Sequence, residues 1–392
     1  MPDLINSKVW FTKPKLICGV MTGTSLDSID IAFVKFSIGS KGEHEFQFIG
    51  GKEYKLPNHY QKHVLKLISK KNSVSDYSQF QVAFSHIIAD AVKSAINDFE
   101  LNKDIDIVAV HGQTIWHEPK KSHIFDFEVS HTYQACSGTT LASLLEIPVV
   151  YDFRSSDVAS GGNGAPLLPI FDYNFLKSSE KDIIALNIGG IANITYIPKG
   201  LSDERIIAFD TGPGNMLLDI AMNKLYKKKF DKNGKIAKSG KVNSLLLEFL
   251  LDDEYFRISP PKSTGREKFG NDYFNKCLKF KEDYKINNED FISTLTQFTA
   301  ETISNAILTF TKDNSTIYVS GGGRKNIDLI YRIKDLLSNC EIYNIDEIGI
   351  DGDLKEAIGF AYIGWRSVGG MYGNLPAATG ANRKVRLGAI AL

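Results

Sequence analysis

The chain has 392 residues and a balanced charge, with 46 Lys plus Arg against 46 Asp plus Glu. Apolar residues make up 43% and charged residues 23%, which excludes a disordered tail, a fibrous repeat and a small disulfide scaffold. The neutral net charge disfavours a general nucleic-acid binder, and no apolar run approaches the roughly 18 residues of a membrane span. We therefore expect no nucleic-acid and no membrane partner. Four scattered cysteines and a polar N-terminus predict a cytoplasmic protein.

The two halves of the sequence repeat one series of predicted elements. Each half has a pair of apolar strands around a glycine turn, an amphipathic helix, an apolar strand ending in glycine, and a further helix and strand. These elements lie at residues 16–34, 80–96, 105–112 and 140–151 in the first half, and at 183–197, 295–310, 317–323 and 329–343 in the second. Strands that alternate with helices predict α/β layers.

Two α/β repeats that each begin with a glycine hairpin resemble the layout of the actin-like, sugar-kinase and heat-shock ATPase fold. We therefore predict an α/β protein with a duplicated actin-like/sugar-kinase ATPase fold, in which two domains surround a central nucleotide cleft. The predicted first domain comprises residues 1–140 plus 367–392, and the second comprises residues 141–366. The alternative is two unrelated α/β domains with a coincidental pattern.

The first glycine turn offers groups that suit a nucleotide phosphate. Gly23 permits a tight turn and a close backbone approach. Thr24 and Ser25 offer hydroxyl and amide donors, and Asp27 is a candidate magnesium ligand. An ordinary polar hairpin is the alternative. We expect ATP binding by Gly23, Thr24, Ser25, Leu26, Asp27, Ser28, Ile29 and Asp30.

Glycine-rich segments in the second half predict further nucleotide contacts. Asp210 ends an apolar strand and precedes a glycine turn, a common place for phosphate, ribose or magnesium. Glycines 321–323 follow another strand and allow a flat ligand such as adenine to lie on the backbone. The alternative for each glycine is that it only completes a turn. The expected ATP-binding residues are Gly189, Gly190, Asn193, Asp210, Gly212, Gly214, Asn215, Gly321, Gly322 and Gly323.

The densest polar segment follows the predicted strand at residues 147–151. Asp152, Arg154 and Asp157 lie at the end of that strand, where α/β proteins place ligands. An ionised carboxylate beside a ligand can act as a general base at neutral pH. The alternative for Asp157 is a helix N-cap.

Three other polar residues follow strand ends. His111 and Gln113 close the matching strand of the first half and are candidates to bind sugar hydroxyls, although a buried structural histidine is an equal alternative. Glu356 follows the last strand of the second half, where a carboxylate can help to position magnesium. A solvent-exposed helix acid is the alternative for Glu356.

Motifs along most of the chain resemble those of the anhydro-N-acetylmuramic acid kinase family. The resemblance runs from about Gly19 to the C-terminus. Ser28 departs from it, because the family usually has glycine there. The motifs lie at residues 19–27, 111–114, 152–168, 186–194, 210–215, 260–267, 320–323, 356–357 and 374–381.

This resemblance implies a homodimeric kinase that uses ATP and Mg²⁺. Such a kinase opens 1,6-anhydro-N-acetylmuramic acid with water and phosphorylates O6, giving N-acetylmuramic acid 6-phosphate and ADP in cell-wall recycling. Asp157 matches the family's general base, which activates the water. The alternatives are levoglucosan kinase, which acts on another 1,6-anhydro sugar, and an actin-like ATPase switch that acts on no sugar. The expected substrate-binding residues are His111, Gln113, Asp152 and Arg154, and the expected metal ligands are Asp27 and Glu356.

Overall fold

A computed structural model describes residues 7–23, 26–69, 72–101, 104–200, 202–311 and 315–392. In chain order its strands are β1 Lys15–Met21, β2 Ser28–Ile38, β3 His44–Lys55, β4 Ile107–Val110, β5 Gln113–Ile124, β6 Phe127–Ala135, β7 Val149–Tyr151, β8 Ile183–Ile188, β9 Ile191–Ile197, β10 Ile207–Pro213, β11 Thr316–Ser320, β12 Glu341–Asn344 and β13 Ala389–Ala391.

The α-helices are α1 Ser7–Trp10, α2 Tyr60–Ile68, α3 Val74–Asp98, α4 Gly138–Leu145, α5 Ser155–Ala159, α6 Pro169–Leu176, α7 Met216–Tyr226, α8 Lys235–Ser239, α9 Ser244–Leu251, α10 Arg266–Phe269, α11 Asn271–Asp283, α12 Asn288–Leu308, α13 Ile327–Leu336, α14 Lys355–Val368 and α15 Pro376–Thr379. Short 3₁₀ helices lie at Lys232–Gly234, Glu254–Arg257, Gly322–Lys325 and Ile345–Ile348. Among the residues described, no helix combines the length and the apolar character needed to cross a membrane.

The two larger sheets have the same strand order. It is β3-β2-β1-β4-β7 in the first sheet, with β13 added beyond β7, and β10-β9-β8-β11-β12 in the second. In both sheets the first hairpin strand pairs antiparallel with its hairpin partner and parallel with the strand after the long helix. The predicted duplication and both predicted glycine hairpins are therefore confirmed.

Sequence signals begin the long helix of each repeat. At the start of α3, Ser73 Oγ accepts a hydrogen bond from the Asp76 amide, and the Asp76 carboxylate accepts one from the Ser73 amide. This reciprocal pair is a capping box. At the start of α12, the Asn287 side chain accepts a hydrogen bond from the Asp290 amide. Both helices then bury an apolar face in a hydrophobic core.

The chain divides into two compact units, which comprise Met1–Phe175 with Leu354–Leu392, and Leu176–Asp353. The predicted domain boundaries at residues 141 and 367 do not coincide with these units. The first unit also contains residues 141–175 because β7 completes its sheet, pairing with β4 and β13. It contains residues 354–366 because α14 packs on β1, β2 and β4 of the same sheet.

A row of small residues positions α14 on the first sheet. The row crosses four strands in register and comprises Gly51, Ala32, Gly19 and Ala109. Ala357 of α14 packs on Gly19, and Gly364 packs on Ala109. A Cβ at residue 19 would lie 2.0 Å from the carbonyl oxygen of Ala357, so this close approach requires glycine. The row therefore fixes the first turn of α14, which carries Glu356.

Candidate active site

Polar residues of the first unit meet at one edge of its sheet. β1, β4 and β7 are parallel, so their carboxyl ends lie at the same edge. Thr22 follows β1 and donates a hydrogen bond to the carbonyl of Gly112, which lies after β4. His111 lies directly after β4, and Asp157 lies in α5, which follows β7. The structure therefore brings Thr22, His111 and Asp157, which belong to three of the motifs, to one edge of the sheet.

Asp157 is the third residue of α5 and is fully buried. The residue in the N-cap position is Arg154, so the N-cap interpretation of Asp157 is wrong. Three donors surround the Asp157 carboxylate. Oδ1 accepts hydrogen bonds from Asn374 Nδ2 at 2.7 Å and from Thr379 Oγ1 at 2.8 Å. Oδ2 accepts one from the amide of Gly164 at 2.8 Å.

These hydrogen bonds explain how a carboxylate is accommodated without solvent. A buried charge is costly unless hydrogen bonds satisfy it. The donors come from two segments, the glycine-rich loop 160–164 and the C-terminal segment 374–385. Backbone hydrogen bonds join the same segments, from the Asn163 amide to the Thr379 carbonyl and from the Asn382 amide to the Ser160 carbonyl, both at 2.8 Å. The surroundings of Asp157 are therefore preorganised.

His111 and Arg154 bind each other. Arg154 donates to His111 Nε2 from Nε at 3.1 Å and from Nη2 at 2.9 Å. The other ring nitrogen, Nδ1, lies 2.8 Å from the Gly112 carbonyl oxygen and donates to it. Burial, with a smaller effect of the Arg154 cation, lowers the pKa of His111 to about 3. Burial also lowers the pKa of Arg154 to about 10, which leaves it charged at neutral pH.

Glu356 interacts electrostatically with Arg154. Burial raises the pKa of the Glu356 carboxyl, while the positive charges of Lys355 and Arg154 oppose this shift. Glu356 is therefore not the fully solvated helix acid of the alternative interpretation. Lys355 is itself buried and forms an ion pair of 2.7 Å with Asp172 of α6. The first turn of α14 thus places a partly exposed carboxyl within electrostatic range of Arg154.

The other two predicted substrate residues have partners within the first unit. Gln113 is buried, and its Oε1 accepts a hydrogen bond from the Tyr60 hydroxyl at 3.0 Å. Asp152 has a left-handed backbone with φ of 54°. Its Oδ1 accepts a hydrogen bond from Ser155 Oγ at 2.6 Å. These contacts orient both side chains at the edge of the sheet.

The first predicted phosphate turn is described in part, because Thr24 and Ser25 lie outside the described residues. Leu26 and Ile29 belong to the hydrophobic core, so their side chains are not available to a ligand. Asp27 is exposed, and its backbone carbonyl accepts a hydrogen bond from the Leu56 amide. Asp30 lies in β2, opposite Met21 of β1. The remaining predicted residues of this turn are Gly23 and Ser28, which are both partly exposed.

In the second unit, two predicted nucleotide turns bind each other through their backbones. The Gly190 carbonyl accepts hydrogen bonds from the amides of Gly214 and Met216, at 2.9 and 3.1 Å. The Gly189 carbonyl accepts one from the Asn215 amide at 2.8 Å. A Cβ at residue 214 would lie 2.4 Å from the Gly189 carbonyl oxygen. The amides of Asn215, the N-cap residue of α7, and of Met216, its first residue, are thus bound to the hairpin turn and not to a phosphate.

The sequence predicts that a strand ends at Asp210. In the structure β10 continues past Asp210 to Pro213, so this prediction is wrong. Asn193 of β9 pairs with Asp210, and a bulge separates Asp210 from Gly212. Asp210 Oδ2 accepts a hydrogen bond from the Thr264 amide at 2.9 Å. Burial raises the pKa of Asp210 to about 6, and the charge of Glu267 adds to this shift. Residues 260–267 therefore pack on a weakly acidic carboxyl.

The three glycines after β11 differ in their surroundings. Gly321 has φ of 78°, and a Cβ there would lie 2.6 Å from Asn187 Oδ1. A Cβ at residue 323 would lie 2.2 Å from Ile188 Cγ2. Packing therefore requires glycine at both positions. A Cβ at residue 322 would have no neighbouring atom of the described chain within 4 Å, so Gly322 borders open space.

Two residues that support Asp157 have no role assigned from the sequence. Asn374 and Thr379 lie in the motif at residues 374–381, but they are 217 and 222 positions away from Asp157. A polar residue so distant carries no local spacing signal. The one available signal is the resemblance of residues 374–381 to the family motif.

Comparisons with known proteins identify the family of this chain. A sequence model of the family described as anhydro-N-acetylmuramic acid kinase matches residues 15–392. An anhydro-N-acetylmuramic acid kinase of Caldanaerobacter subterraneus subsp. tengcongensis is 35% identical, over 98% of this chain and 99% of that protein. The protein of that name from Francisella tularensis subsp. novicida is 38% identical, over 96% and 98%. The one from Clostridioides difficile is 37% identical, over 95% and 97%.

Among solved structures, the activator of the 2-hydroxyisocaproyl-CoA dehydratase from Clostridium difficile overlaps with a TM-score of 0.43 at 10% identity, covering 90% of this chain and 95% of that one. The two larger sheets repeat one strand order, as expected for the duplicated actin-like/sugar-kinase ATPase fold. The chain therefore belongs to the anhydro-N-acetylmuramic acid kinase family and is an enzyme of the kinase class.

Proposed function

We propose that this enzyme opens 1,6-anhydro-N-acetylmuramic acid with water and phosphorylates the released O6. The products are N-acetylmuramic acid 6-phosphate and ADP. The observation that carries the proposal is the Asp157 carboxylate, which is buried and held by Asn374, Thr379 and Gly164 in a chain whose relatives bear this activity as their name. A fixed carboxylate is suited to accept a proton from water at neutral pH.

In the proposed reaction, Asp157 takes a proton from a water molecule as the water oxygen bonds to C1 of the sugar. The C1–O6 bond breaks, and O6 takes the electron pair. O6 then bonds to the γ-phosphorus of ATP, and the bond between that phosphorus and the β–γ bridging oxygen breaks to release ADP. An inverting glycosidase needs a second carboxylic acid to protonate the leaving oxygen. Here phosphoryl transfer captures O6, so one general base is sufficient.

Water must reach an aspartate that has no exposed surface in this structure. The loop 160–164 covers Asp157, and two of its glycines have left-handed backbones, with φ of 84° at Gly161 and 70° at Gly164. We assign the required local movement to this loop. A closed resting arrangement excludes bulk water from the reacting sugar and phosphate.

The sugar is proposed to bind at the edge that carries His111, Gln113, Asp152 and Arg154. His111 occupies two of the Arg154 N–H groups, and the guanidinium retains further donors for sugar oxygens. The positive charge of Arg154 also suits the developing charge on a leaving oxygen. Gln113 and Asp152 are oriented by Tyr60 and Ser155.

The proposed ATP contacts lie within each unit by itself: the turn at residues 23–30 in the first unit, and the glycine segments in the second. The adenine is assigned to Gly322, which borders open space. Asp27 and Glu356 would hold Mg²⁺, and the donor set fits, because both are carboxylates and Asp27 is exposed. The described residues contain no group of three His, Cys, Asp or Glu side chains that could hold a metal. Mg²⁺ usually takes one or two carboxylates together with phosphates. When bound, it neutralises charge on the transferring phosphoryl group.

We further propose that the enzyme works in the cytoplasm as a homodimer. The reduced cysteines Cys18, Cys136 and Cys277, all buried, suit a reducing compartment. The homodimer follows from the family resemblance. Sedimentation of the purified chain tests it, since a monomer mass at micromolar concentration would contradict it.

The sugar specificity is tested by incubating the enzyme with ATP, Mg²⁺ and either 1,6-anhydro-N-acetylmuramic acid or levoglucosan, and following ADP release. With the anhydro amino sugar, we expect one ADP to be released for each sugar phosphate formed. Preference for levoglucosan supports the alternative sugar kinase. ATP binding without any sugar phosphate supports an ATPase switch.

A further inference from the structure

The hydrogen bonds of Asp157 distinguish its two oxygens. A carboxylate has two lone pairs on each oxygen. Asn374 Nδ2 and Thr379 Oγ1 both donate to Oδ1, whereas Oδ2 receives the Gly164 amide. Asn374 and Thr379 fill the acceptor capacity of Oδ1. The Gly164 amide takes one lone pair of Oδ2, and the other has no donor among the residues that the structure describes.

The backbone also approaches Oδ2 closely. A Cβ at residue 162 would lie 2.1 Å from Asp157 Oδ2 and 2.7 Å from its Cγ. Gly162 does not have a left-handed φ, so its backbone conformation does not require glycine. Glycine is required because any side chain at residue 162 would collide with the Asp157 carboxylate. The loop is therefore shaped around the oxygen that keeps a free lone pair.

We propose that Asn374 and Thr379 are positioning residues for the reaction, which hold Oδ1 so that Oδ2 takes the proton from water. This inference rests on the proposed role of Asp157 as general base. Both residues are buried, with exposed fractions of 1% and 0%. Asn374 is itself fixed, because its Oδ1 accepts a hydrogen bond from the Val385 amide at 2.7 Å. The C-terminal segment thus orients a base that is more than 200 residues away.

The test compares Thr379→Val, which removes the hydroxyl at nearly constant shape, with Thr379→Ser, which keeps it. We expect Thr379→Val to lower kcat at least about tenfold and to leave the KM for ATP unchanged. Thr379→Ser, which keeps the hydroxyl, restores kcat. Thr296→Val is the matched control, because Thr296 is also fully buried and its hydroxyl bonds a backbone carbonyl within α12.

Asn374→Asp provides a second variant should Thr379→Val not fold. It keeps the acceptor for the Val385 amide. It replaces the donor to Oδ1 with a second carboxylate, which repels Asp157, so we expect kcat to fall at least as far as in Thr379→Val. Asp157→Asn separates the two claims. An active Asp157→Asn enzyme overturns the general-base role itself. An inactive Asp157→Asn enzyme, together with the parental kcat in Thr379→Val and in Asn374→Asp, overturns the positioning role alone.

Discussion

Arg154 donates two hydrogen bonds to a single atom, Nε2 of His111, while His111 Nδ1 donates to the carbonyl of Gly112. This arrangement needs a neutral imidazole, because only a neutral ring has an acceptor nitrogen. The lowered pKa of His111, about 3, agrees with it. His111 is therefore a fixed acceptor that orients Arg154 at neutral pH, and it does not act as an acid or base there.

The neutral state of His111 predicts how stability depends on pH. An unfolded histidine titrates at 6.5, and His111 titrates at about 3 in the folded chain. Between these values the unfolded chain binds the extra proton, so the free energy of unfolding falls as the pH falls through this window. The loss is on the order of 1 kcal/mol for each pH unit.

His111→Gln removes this titration but keeps an acceptor for Arg154 and a donor for Gly112. We expect urea unfolding of the variant to depend less on pH than that of the parent between pH 4 and 6. Equal pH dependence of the two proteins would show that His111 is already protonated in the folded state.

Gly162→Ala is expected to disable catalysis with little loss of ATP binding. The new Cβ would lie 2.1 Å from Asp157 Oδ2, so the carboxylate must shift. A misplacement of about 1 Å in a catalytic group costs about 100-fold in rate. Steady-state kinetics together with ATP titration measure both effects. An alanine variant with the parent's kcat would show that the position of Oδ2 is not critical.

Gly322 and Gly323 are neighbours with opposite expected responses to alanine. Gly322→Ala meets no atom of the described chain, so we expect parental stability but weaker ATP binding if adenine lies on that backbone. Gly323→Ala collides with Ile188 Cγ2 and should lower the melting temperature. Calorimetric titration with ATP and thermal unfolding separate the two effects. Unchanged ATP affinity in Gly322→Ala would contradict the assignment of adenine to this position.

Asp210→Asn should stabilise the protein while weakening nucleotide binding. Burial raises the pKa of Asp210 from 3.8 to about 6, so the folded chain binds this proton more tightly than the unfolded chain. Stability from this group is therefore present at low pH and is lost as the pH rises from about 4 to 6. Asparagine carries no charge and keeps an acceptor for Thr264.

The measurement is unfolding at pH 8, where we expect a gain on the order of 1 kcal/mol. ATP titration of the same variant should show weaker binding, because Asp210 is proposed to contact the nucleotide. Parental ATP affinity with higher stability would assign Asp210 to folding alone.

Local sequence patterns predict most of the fold. The glycine hairpins and the long helices have clear signals, including the period of apolar residues in α3 and α12 and the capping residues Ser73 and Asn287. No local sequence signal marks the domain boundaries, because they depend on which sheet β7 joins and on which sheet α14 packs against. The position of α14 is determined by contacts between distant parts of the chain, such as that of Gly19 with Ala357.

The candidate site is predictable in its residue types but not in its partners. The sequence places Asp157, Arg154 and His111 at strand ends, and the structure brings them to one sheet edge. It does not indicate that Arg154 binds His111, or that Thr379 binds Asp157. Leu26 and Ile29 fit the phosphate motif by position, yet their side chains fill the core. Such differences depend on side-chain direction, which sequence spacing alone does not specify.

The central claim is that water opens the anhydro ring while ATP phosphorylates O6, with Asp157 as the base. Mass spectrometry of the product made in ¹⁸O-labelled water tests it most directly. The account predicts a sugar phosphate that carries one heavy oxygen at C1 and none in the phosphoryl group, and no product from Asp157→Asn although that variant still binds ATP. Heavy oxygen in free phosphate, or an active Asp157→Asn enzyme, would contradict it.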